Sequence, residues 1–171
     1  RAGDVDLLRA IGEKSGFGVT AVTAVTHDNG IVYSSTAIRQ ALREGRPEDA
    51  KHLLGRPWEI AGIVAHGDAR GRTIGFPTAN IAADSQIQPA AGVYATRLEV
   101  EGGLLDAVAN VGTRPTVSGD AWRVEAHVLD FEGELYGRSV GLHFVVRLRN
   151  ERRFDGLDAL KEQIGRDCEQ A

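Results

Sequence analysis

A glycine- and arginine-rich stretch, residues 62–80, is the part of the sequence best suited to meet a polyanion. Its glycines let the backbone approach phosphate groups closely, and its arginines supply positive charge. No Gly-Lys-Ser or Gly-Lys-Thr follows the glycines, so the stretch is not a Walker A loop. Its glycines are Gly62, Gly67, Gly71 and Gly75, with Arg70 and Arg72 between them.

Thr78 and Asn80 follow Pro77 at the end of this stretch and offer two neutral oxygens two residues apart. Two oxygens on one side of an extended segment suit a Mg²⁺ ion that takes its other ligands from phosphates and water. The alternative is a glycine-rich hairpin turn in which both side chains bond only to the local backbone.

Glu125 is a carboxylate within a segment of alternating apolar residues. Val124, Ala126 and Val128 occupy one face of that segment. If this apolar face covers a core, Glu125 points towards a cleft or towards solvent. A solvent-exposed strand carboxylate is the alternative.

Period-two segments dominate the chain after residue 57 and predict antiparallel strands in a small barrel or sandwich. Residues 93–100 and 140–146 alternate in the same way, with Tyr94 and Val146 each assigned to an apolar face. An amphipathic helix closes the chain, with Asp155 as its predicted N-cap. Its apolar residues are Leu157, Leu160, Ile164 and Cys168.

The first 56 residues have a different pattern, which predicts a helix, a strand and two further helices. Asp4 caps the first helix and Gly16 ends it, while the β-branched residues 19–25 predict a buried strand. A hydroxyl-rich turn, residues 34–36, opens the second helix, and Pro47 opens the third. One strand cannot form a sheet, so residues 1–56 are interpreted as the end of a larger α/β domain and residues 57–171 as a second domain.

Composition excludes several classes of protein. The net charge of −4 over 171 residues argues against a non-specific nucleic-acid binder. No apolar run is long enough to span a membrane, and no signal peptide opens the chain. The single cysteine, Cys168, favours the reducing cytoplasm. The chain begins at Arg1 without a methionine anywhere, which indicates a piece of a longer protein.

Residues 71–80, Gly-Arg-Thr-Ile-Gly-Phe-Pro-Thr-Ala-Asn, resemble a signature of bacterial riboflavin kinases, the carboxyl-terminal module of bifunctional riboflavin kinase/FMN adenylyltransferases. Further segments match that family in order over residues 57–168. They are residues 92–94, 110–116, 124–131, 134–137 and 148–155.

The resemblance implies a small antiparallel Greek-key barrel with a carboxyl-terminal helix, and an enzyme that phosphorylates riboflavin to FMN with Mg²⁺ and ATP, releasing ADP. It implies that Glu125 acts on the ribityl hydroxyl and that Thr78 and Asn80 bind the metal. It also implies a nucleotide site containing Gly62, Gly67, Gly71, Arg72, Thr78, Asn80, His127 and Tyr136, and a flavin site containing Arg149, Glu151 and Phe154.

Several of these residues have structural alternatives. His127 and Tyr136 also fit a half-buried pair at a barrel rim, and Glu151 belongs to a charged run typical of a solvated surface. A barrel that stores or delivers FMN without catalysis is the competing function. It needs neither Glu125 nor the Thr78 and Asn80 pair, and this favours the enzyme.

The front of the chain resembles the end of the family's adenylyltransferase domain. Ser34, Ser35, Thr36 and Arg39 match its Ser-Ser-Thr-x-Ile-Arg signature, where a helix N-terminus and an arginine meet a triphosphate. A plain helix cap is the alternative. No two of the five histidines have the spacing of the His-x-Gly-His segment that handles the α-phosphate. Adenylylation of FMN to FAD is therefore expected of the intact parent protein, with its amino-terminal half in cis, and not of this chain.

Overall fold

The computed structural model describes residues 4–26, 30, 32–67, 71, 74–83, 86–116 and 119–171, without the side chains of 114–121. The chain forms two compact units, Arg1–Tyr33 and Ser34–Ala171.

The smaller unit contains helix α1, Val5–Ser15. The Asp4 carboxylate caps it by accepting from Leu7 N at 2.8 Å, and Gly16 ends it in the left-handed conformation, so both predicted ends are confirmed. The predicted buried strand over residues 19–25 is wrong. Val22 is 88 % exposed, and the pairing described in this unit is an isolated bridge between Thr26 and Val32. A β-branched run becomes a buried strand only where neighbouring strands are available to pair with it.

Two short helices begin the larger unit: α2, Ser35–Arg43, and α3, Pro47–Leu54. Both match the predicted helices, with Pro47 in the first turn of α3 and Gly55 at its end. Ala41, Leu42 and Ala50 form a small core between them, against which Trp58 and Ile87 pack.

Six strands then close an antiparallel barrel in the order β1-β2-β5-β4-β3-β6. In this order β6 returns beside β3 after the β3-β4-β5 meander, which is a Greek key and confirms the fold expected from the resemblance. The strands are β1 Glu59–Ala65, β2 Ala79–Ala82, β3 Gly92–Val100, β4 Gly103–Thr116, β5 Gly119–Val128 and β6 Ser139–Arg149.

The barrel interior is the main core, and it is filled by alternate residues of every strand. Val124, Ala126 and Val128 point inwards from β5, as their period predicted. Tyr94 and Phe144 are fully buried and meet edge to face, with ring centroids 5.1 Å apart. The predicted inward position of Val146 is wrong: β6 shifts register after Phe144, so Val146 pairs with Ala95 and is 37 % exposed.

Helix α4, Leu157–Gln170, follows β6. Its N-cap is Gly156, with no side-chain cap, and not Asp155 as predicted. Because the backbone of Gly156 is extended, the helix starts one residue later than a cap at Asp155 would place it. Asp158, in the first turn, still places negative charge at the positive end of the helix dipole.

Candidate active site

Three of the predicted site residues, Asn80, Glu125 and Arg149, lie along one row that crosses neighbouring strands. Asn80 on β2 is paired with Glu125 on β5, and Glu125 is paired with Asn110 on β4. Asn110 is paired with Val93 on β3, which is in turn paired with Arg149 on β6. Directly opposed residues share a face of the sheet, so this row lies on the outer face of the barrel, opposite the packed interior.

A cavity of about 560 Å³ lies over this row, between the outer barrel wall and α4. Its apolar side is the face of α4 carrying Leu157, Leu160 and Ile164, which explains why these residues are not buried in the barrel core. Its polar groups include Glu125 and Arg149. The cavity also touches Gly71, Ile74, Phe76, Thr78, Val93, Val108, Asn110, Arg123, His127 and Asp167.

Glu125 sits in this cavity beside a partner that the sequence interpretation missed. Arg123, two residues earlier on the same face of β5, places Nη1 3.2 Å from Glu125 Oε1. Both side chains keep some solvent access, at 38 % for Arg123 and 21 % for Glu125. The carboxylate is thus oriented and still reachable by a ligand. Alternation along β5 places both residues on one face, which was a usable signal.

A second, smaller cavity of about 80 Å³ opens at one end of the barrel. Inward-facing residues such as Val64, Ala79 and Ala126 line it, together with Tyr136. Tyr136 stacks on His66, with ring centroids 3.9 Å apart. Thr78 lines both cavities, and it lies immediately before β2 at the point where the two cavities approach each other.

His127 belongs to the larger cavity and braces the segment that carries Thr78. Its Nδ1 lies 2.8 Å from the Pro77 carbonyl oxygen, which can only accept, so Nδ1 carries the hydrogen. The ring also meets Phe76 edge to face at 5.4 Å. His127 and Tyr136, which the sequence interpretation paired, therefore line different cavities.

Gly62, Gly67 and Gly71 of the 62–80 stretch have different surroundings. A side chain on Gly62 would overlap the Ala82 carbonyl oxygen, so Gly62 lets β1 and β2 approach, and it lines neither cavity. A side chain on Gly67 would overlap the Asn80 amide, so Gly67 makes room for a predicted metal ligand. Gly71 lines the larger cavity, and Arg72 lies outside the described residues.

Arg149 lines the larger cavity as predicted, but its guanidinium is already bonded. Nε and Nη2 donate to Asp167 at 3.0 and 2.7 Å, and Nη1 donates to the Asn150 carbonyl oxygen at 3.1 Å. Asp167 was missed, although its spacing from Leu160 and Ile164 puts it on the apolar face of α4.

Glu151 and Phe154 lie outside the lining of the two cavities. The Glu151 carboxylate accepts from Asn110 Nδ2 at 3.3 Å and packs on Gly112. Phe154 lies beneath two guanidinium groups, those of Arg152 at 4.5 Å and Arg149 at 5.7 Å. Both residues brace the segment between β6 and α4, and their contact with a flavin stays a prediction.

At the front of the larger unit, Ser34 caps α2 by accepting from Ala37 N at 3.1 Å, so one hydroxyl of the adenylyltransferase-like signature serves as a helix cap. Arg39 and Arg43 line a groove with residues 86–89. Ser35 and Thr36 occupy the first turn of α2.

No group of three or more His, Cys, Asp or Glu side chains able to hold a metal occurs among the residues that the structure describes. The neutral pair formed by Thr78 and Asn80, with Glu125 opposite Asn80, is instead an oxygen donor set of the kind Mg²⁺ accepts when phosphates complete its shell.

Comparison with known proteins agrees with this architecture. Residues 54–171, more than half of the chain, match the family described as flavokinase, riboflavin kinase. The bifunctional riboflavin kinase/FMN adenylyltransferase of Escherichia coli K12 is 47 % identical over 168 residues, which cover 98 % of this chain and 53 % of that protein. The Bacillus subtilis 168 protein of the same name is 43 % identical, covering 90 % and 50 %. This chain spans about half the length of these curated relatives.

A crystal structure of a macrolide-efflux protein from Streptococcus pneumoniae superposes with a TM-score of 0.83 at 39 % identity, covering 94 % of this chain and 53 % of that one. The word efflux belongs to the name of that protein. Within the described part of this chain, no helix has the length and apolar character needed to cross a membrane. The family match covers the barrel and α4, and the sequence identity to the Escherichia coli protein is above 40 % over nearly the whole chain. This chain therefore belongs to the riboflavin kinase family.

Proposed function

We propose that this chain transfers the terminal phosphate of ATP to riboflavin and releases FMN and ADP. The observation that carries the proposal is the position of Thr78, which lines both cavities, with Glu125 in the larger of them. A phosphoryl transfer needs two substrates that meet end to end at the transferred phosphate. Two cavities that meet at one residue, with a carboxylate on the acceptor side, satisfy that requirement.

The larger cavity is the site for riboflavin. Its volume of about 560 Å³ and the leucine and isoleucine side chains of α4 suit a flat apolar ring system. Its charges are balanced, since Arg149 is paired with Asp167 and Arg123 with Glu125. Riboflavin is uncharged, so a cavity without excess charge accepts it with little desolvation penalty.

Glu125 is the catalytic base in this proposal. Its carboxylate would accept a hydrogen bond from the ribityl 5′-hydroxyl, orient the oxygen for in-line attack and receive its proton. The neighbouring Arg123 limits the directions in which the carboxylate can point.

The nucleotide lies on the other side of Thr78, with its base towards Tyr136 and His66 and its phosphates towards Thr78 and Gly67. Thr78 and Asn80 would hold Mg²⁺, and the ion would neutralise charge on the phosphates. The packing of Asn80 against Gly67 limits where its amide oxygen can lie.

In the longer relatives, whose name includes FMN adenylyltransferase, a second activity acts on the same compound. We extend the proposal to the parent protein, in which a part outside this sequence would adenylylate the FMN made here to FAD. The single Cys168 suits a cytoplasmic protein, and the acidic net charge gives no reason to expect a nucleic-acid partner.

Replacement of the base tests the reaction. Glu125→Gln keeps the shape and the hydrogen-bond acceptor but cannot take a proton, so kcat for FMN formation should fall by roughly 100-fold or more. Chromatography of FMN from riboflavin and Mg²⁺–ATP measures it. Glu13→Gln, at an exposed position of α1, is the matched control.

Near-normal FMN formation by Glu125→Gln, with ATP affinity unchanged, contradicts the assignment of the base. A wild-type chain that binds riboflavin but never converts it to FMN contradicts the enzyme and supports a flavin carrier.

A further inference from the structure

Asp167 is a charged side chain buried in the wall of the larger cavity. It is 2 % exposed, and it is the one Asp, Glu, Lys, Arg or His side chain that is buried among the side chains described. It lies on α4, one turn after Ile164, on the helix face that lines the cavity. A buried carboxylate is strongly unfavourable unless other groups bond to it.

Three donor groups satisfy this carboxylate. Arg149 reaches it with Nε and Nη2, at 3.0 and 2.7 Å, in the two-pronged geometry that a guanidinium makes with a carboxylate. Gln163 Nε2 donates to Oδ1 at 2.7 Å from one turn earlier on α4. Asp167 therefore accepts on both oxygens and joins α4 to the end of β6.

The orientation of Gln163 is determined by its own partners. Its Oε1 accepts from Arg152 Nη2 at 2.7 Å, which leaves Nε2 to face Asp167. Arg152 in turn lies over the Phe154 ring. A series of contacts therefore runs from Arg152 through Gln163 and Asp167 to Arg149. These contacts fix the orientation of the Arg149 guanidinium in the cavity wall.

The consequence for Arg149 is a defined set of free donors. A guanidinium has five N–H groups. Those directed at Asp167 and at the Asn150 carbonyl oxygen are used, and what remains on Nη1 and Nη2 is available to a ligand. Asp167 also cancels the positive charge, which would otherwise stand unpaired beside an apolar helix face.

We infer that Asp167 is a positioning residue for the flavin. It holds Arg149 so that its remaining N–H donors face the carbonyl-bearing edge of a neutral ring bound between α4 and β6. Because Asp167 balances the charge of Arg149, the pair has no net charge. This inference rests on the proposed function, because it assumes that riboflavin occupies the larger cavity. Asp167 itself exchanges no proton with the substrate.

The test compares Asp167→Asn with Asp158→Asn, the same change at an exposed position of the same helix. Asp167→Asn removes the charge and one acceptor oxygen, so Arg149 becomes unpaired and loses its orientation. We expect the Kd for riboflavin, measured without ATP by quenching of flavin fluorescence, to rise roughly tenfold or more. The KM for riboflavin should rise with it, while the KM for ATP stays within about twofold of wild type.

Asp167→Glu and Gln163→Leu complete the series. Asp167→Glu restores a carboxylate and should recover part of the riboflavin affinity. Gln163→Leu leaves the ion pair but removes the bridge to Arg152, so it should weaken riboflavin binding in the same direction by a smaller factor. Because it keeps the buried charges paired, Gln163→Leu also serves as the test if Asp167→Asn does not fold.

Unchanged riboflavin affinity in a folded Asp167→Asn chain overturns the inference, and so does an equal loss of affinity for ATP and riboflavin, which would show a purely structural role. If Asp167→Asn does not fold, unchanged riboflavin binding by Gln163→Leu overturns it. A wild-type chain that binds riboflavin without making FMN defeats the proposed reaction alone, because the Kd series still tests Asp167.

Discussion

Thr78 is the residue at which the two cavities meet, and its neighbours leave it little freedom. The carbonyl of Pro77 is held by His127, and Ala79 is buried in the barrel core. The Thr78 hydroxyl is therefore carried by a backbone fixed on both sides. Preorganised oxygens of this kind bind a metal–phosphate group without the entropic cost of ordering a loop.

Removal of that hydroxyl should affect the nucleotide more than the flavin. In Thr78→Ala the KM for Mg²⁺–ATP is expected to rise roughly tenfold or more, while the riboflavin Kd stays within about twofold. Steady-state FMN formation with Mg²⁺–ATP varied at saturating riboflavin measures the effect. Thr20→Ala, an exposed position in the smaller unit, is the control. An ATP dependence equal to that of wild type argues against a metal role for Thr78.

At the scale of elements, β3 is held to α2 through the segment that leads into the strand. The Tyr94 hydroxyl of β3 donates to the Ala90 carbonyl oxygen. Ala90 N donates to the Leu42 carbonyl oxygen at the end of α2, at 2.9 Å. Tyr94 therefore stabilises both the barrel interior, where it meets Phe144, and the attachment of the helices.

Tyr94 also predicts how stability depends on alkaline pH. Burial raises the pKa of the Tyr94 phenol above the ordinary 10.0; the charge of Arg147 opposes this shift and that of Glu48 adds to it. A raised pKa in the folded state gives stability that is fully present below about pH 10 and is lost as pH rises through the folded-state pKa.

Tyr94→Phe should therefore cost about 1 kcal/mol of unfolding free energy at pH 7, from the lost hydrogen bond. The difference from wild type should shrink above about pH 10, because the unfolded wild type ionises and the variant cannot. Urea unfolding of the wild type and of Tyr94→Phe between pH 7 and 11 measures it. A Tyr94→Phe difference that stays constant over that range contradicts the prediction.

At the scale of the whole molecule, the physical division and the expected domain boundary differ. The expected boundary is Pro57, whereas the compact units divide between Tyr33 and Ser34. Ala41, Leu42 and Ala50 pack with Trp58, so α2 and α3 share a core with residues beside the barrel. The assignment of residues 1–56 to an adenylyltransferase remains a prediction, but two of its helices belong physically to the unit that carries both cavities.

Truncation distinguishes the two boundaries. A chain of residues 34–171 keeps the shared core and should retain riboflavin phosphorylation and a melting temperature close to that of the full chain. A chain of residues 57–171 exposes Trp58 and Ile87 and should lose about 2 kcal/mol or more of stability. Thermal unfolding and FMN formation on both chains measure the difference. Equal stability of the two truncated chains would place the physical boundary at Pro57 instead.

The helices and the inward faces of the strands were readable from local sequence. Proline, glycine and capping residues act within one turn, and the alternation of Val124, Ala126 and Val128 reports a buried face directly. Two of the three wrong predictions concern choices that are not local, and the third is a shift of a helix cap by one residue. No strand in the described part of the chain pairs with residues 19–25, Val146 is displaced by a register shift, and the N-cap of α4 is Gly156 instead of Asp155.

The prediction that Thr78, Asn80, Glu125 and Arg149 are site residues came from the sequence and its resemblance to the family, and the alternation of apolar residues predicted the antiparallel strands. The tertiary structure decided that Asn80, Glu125 and Arg149 lie in one row on the outer face of the barrel, that Thr78 lines two cavities, and that Asp167 bonds to Arg149. The physical reason is register: a row across five strands depends on which residues are opposed after barrel closure, and that depends on long-range pairing that no local pattern records.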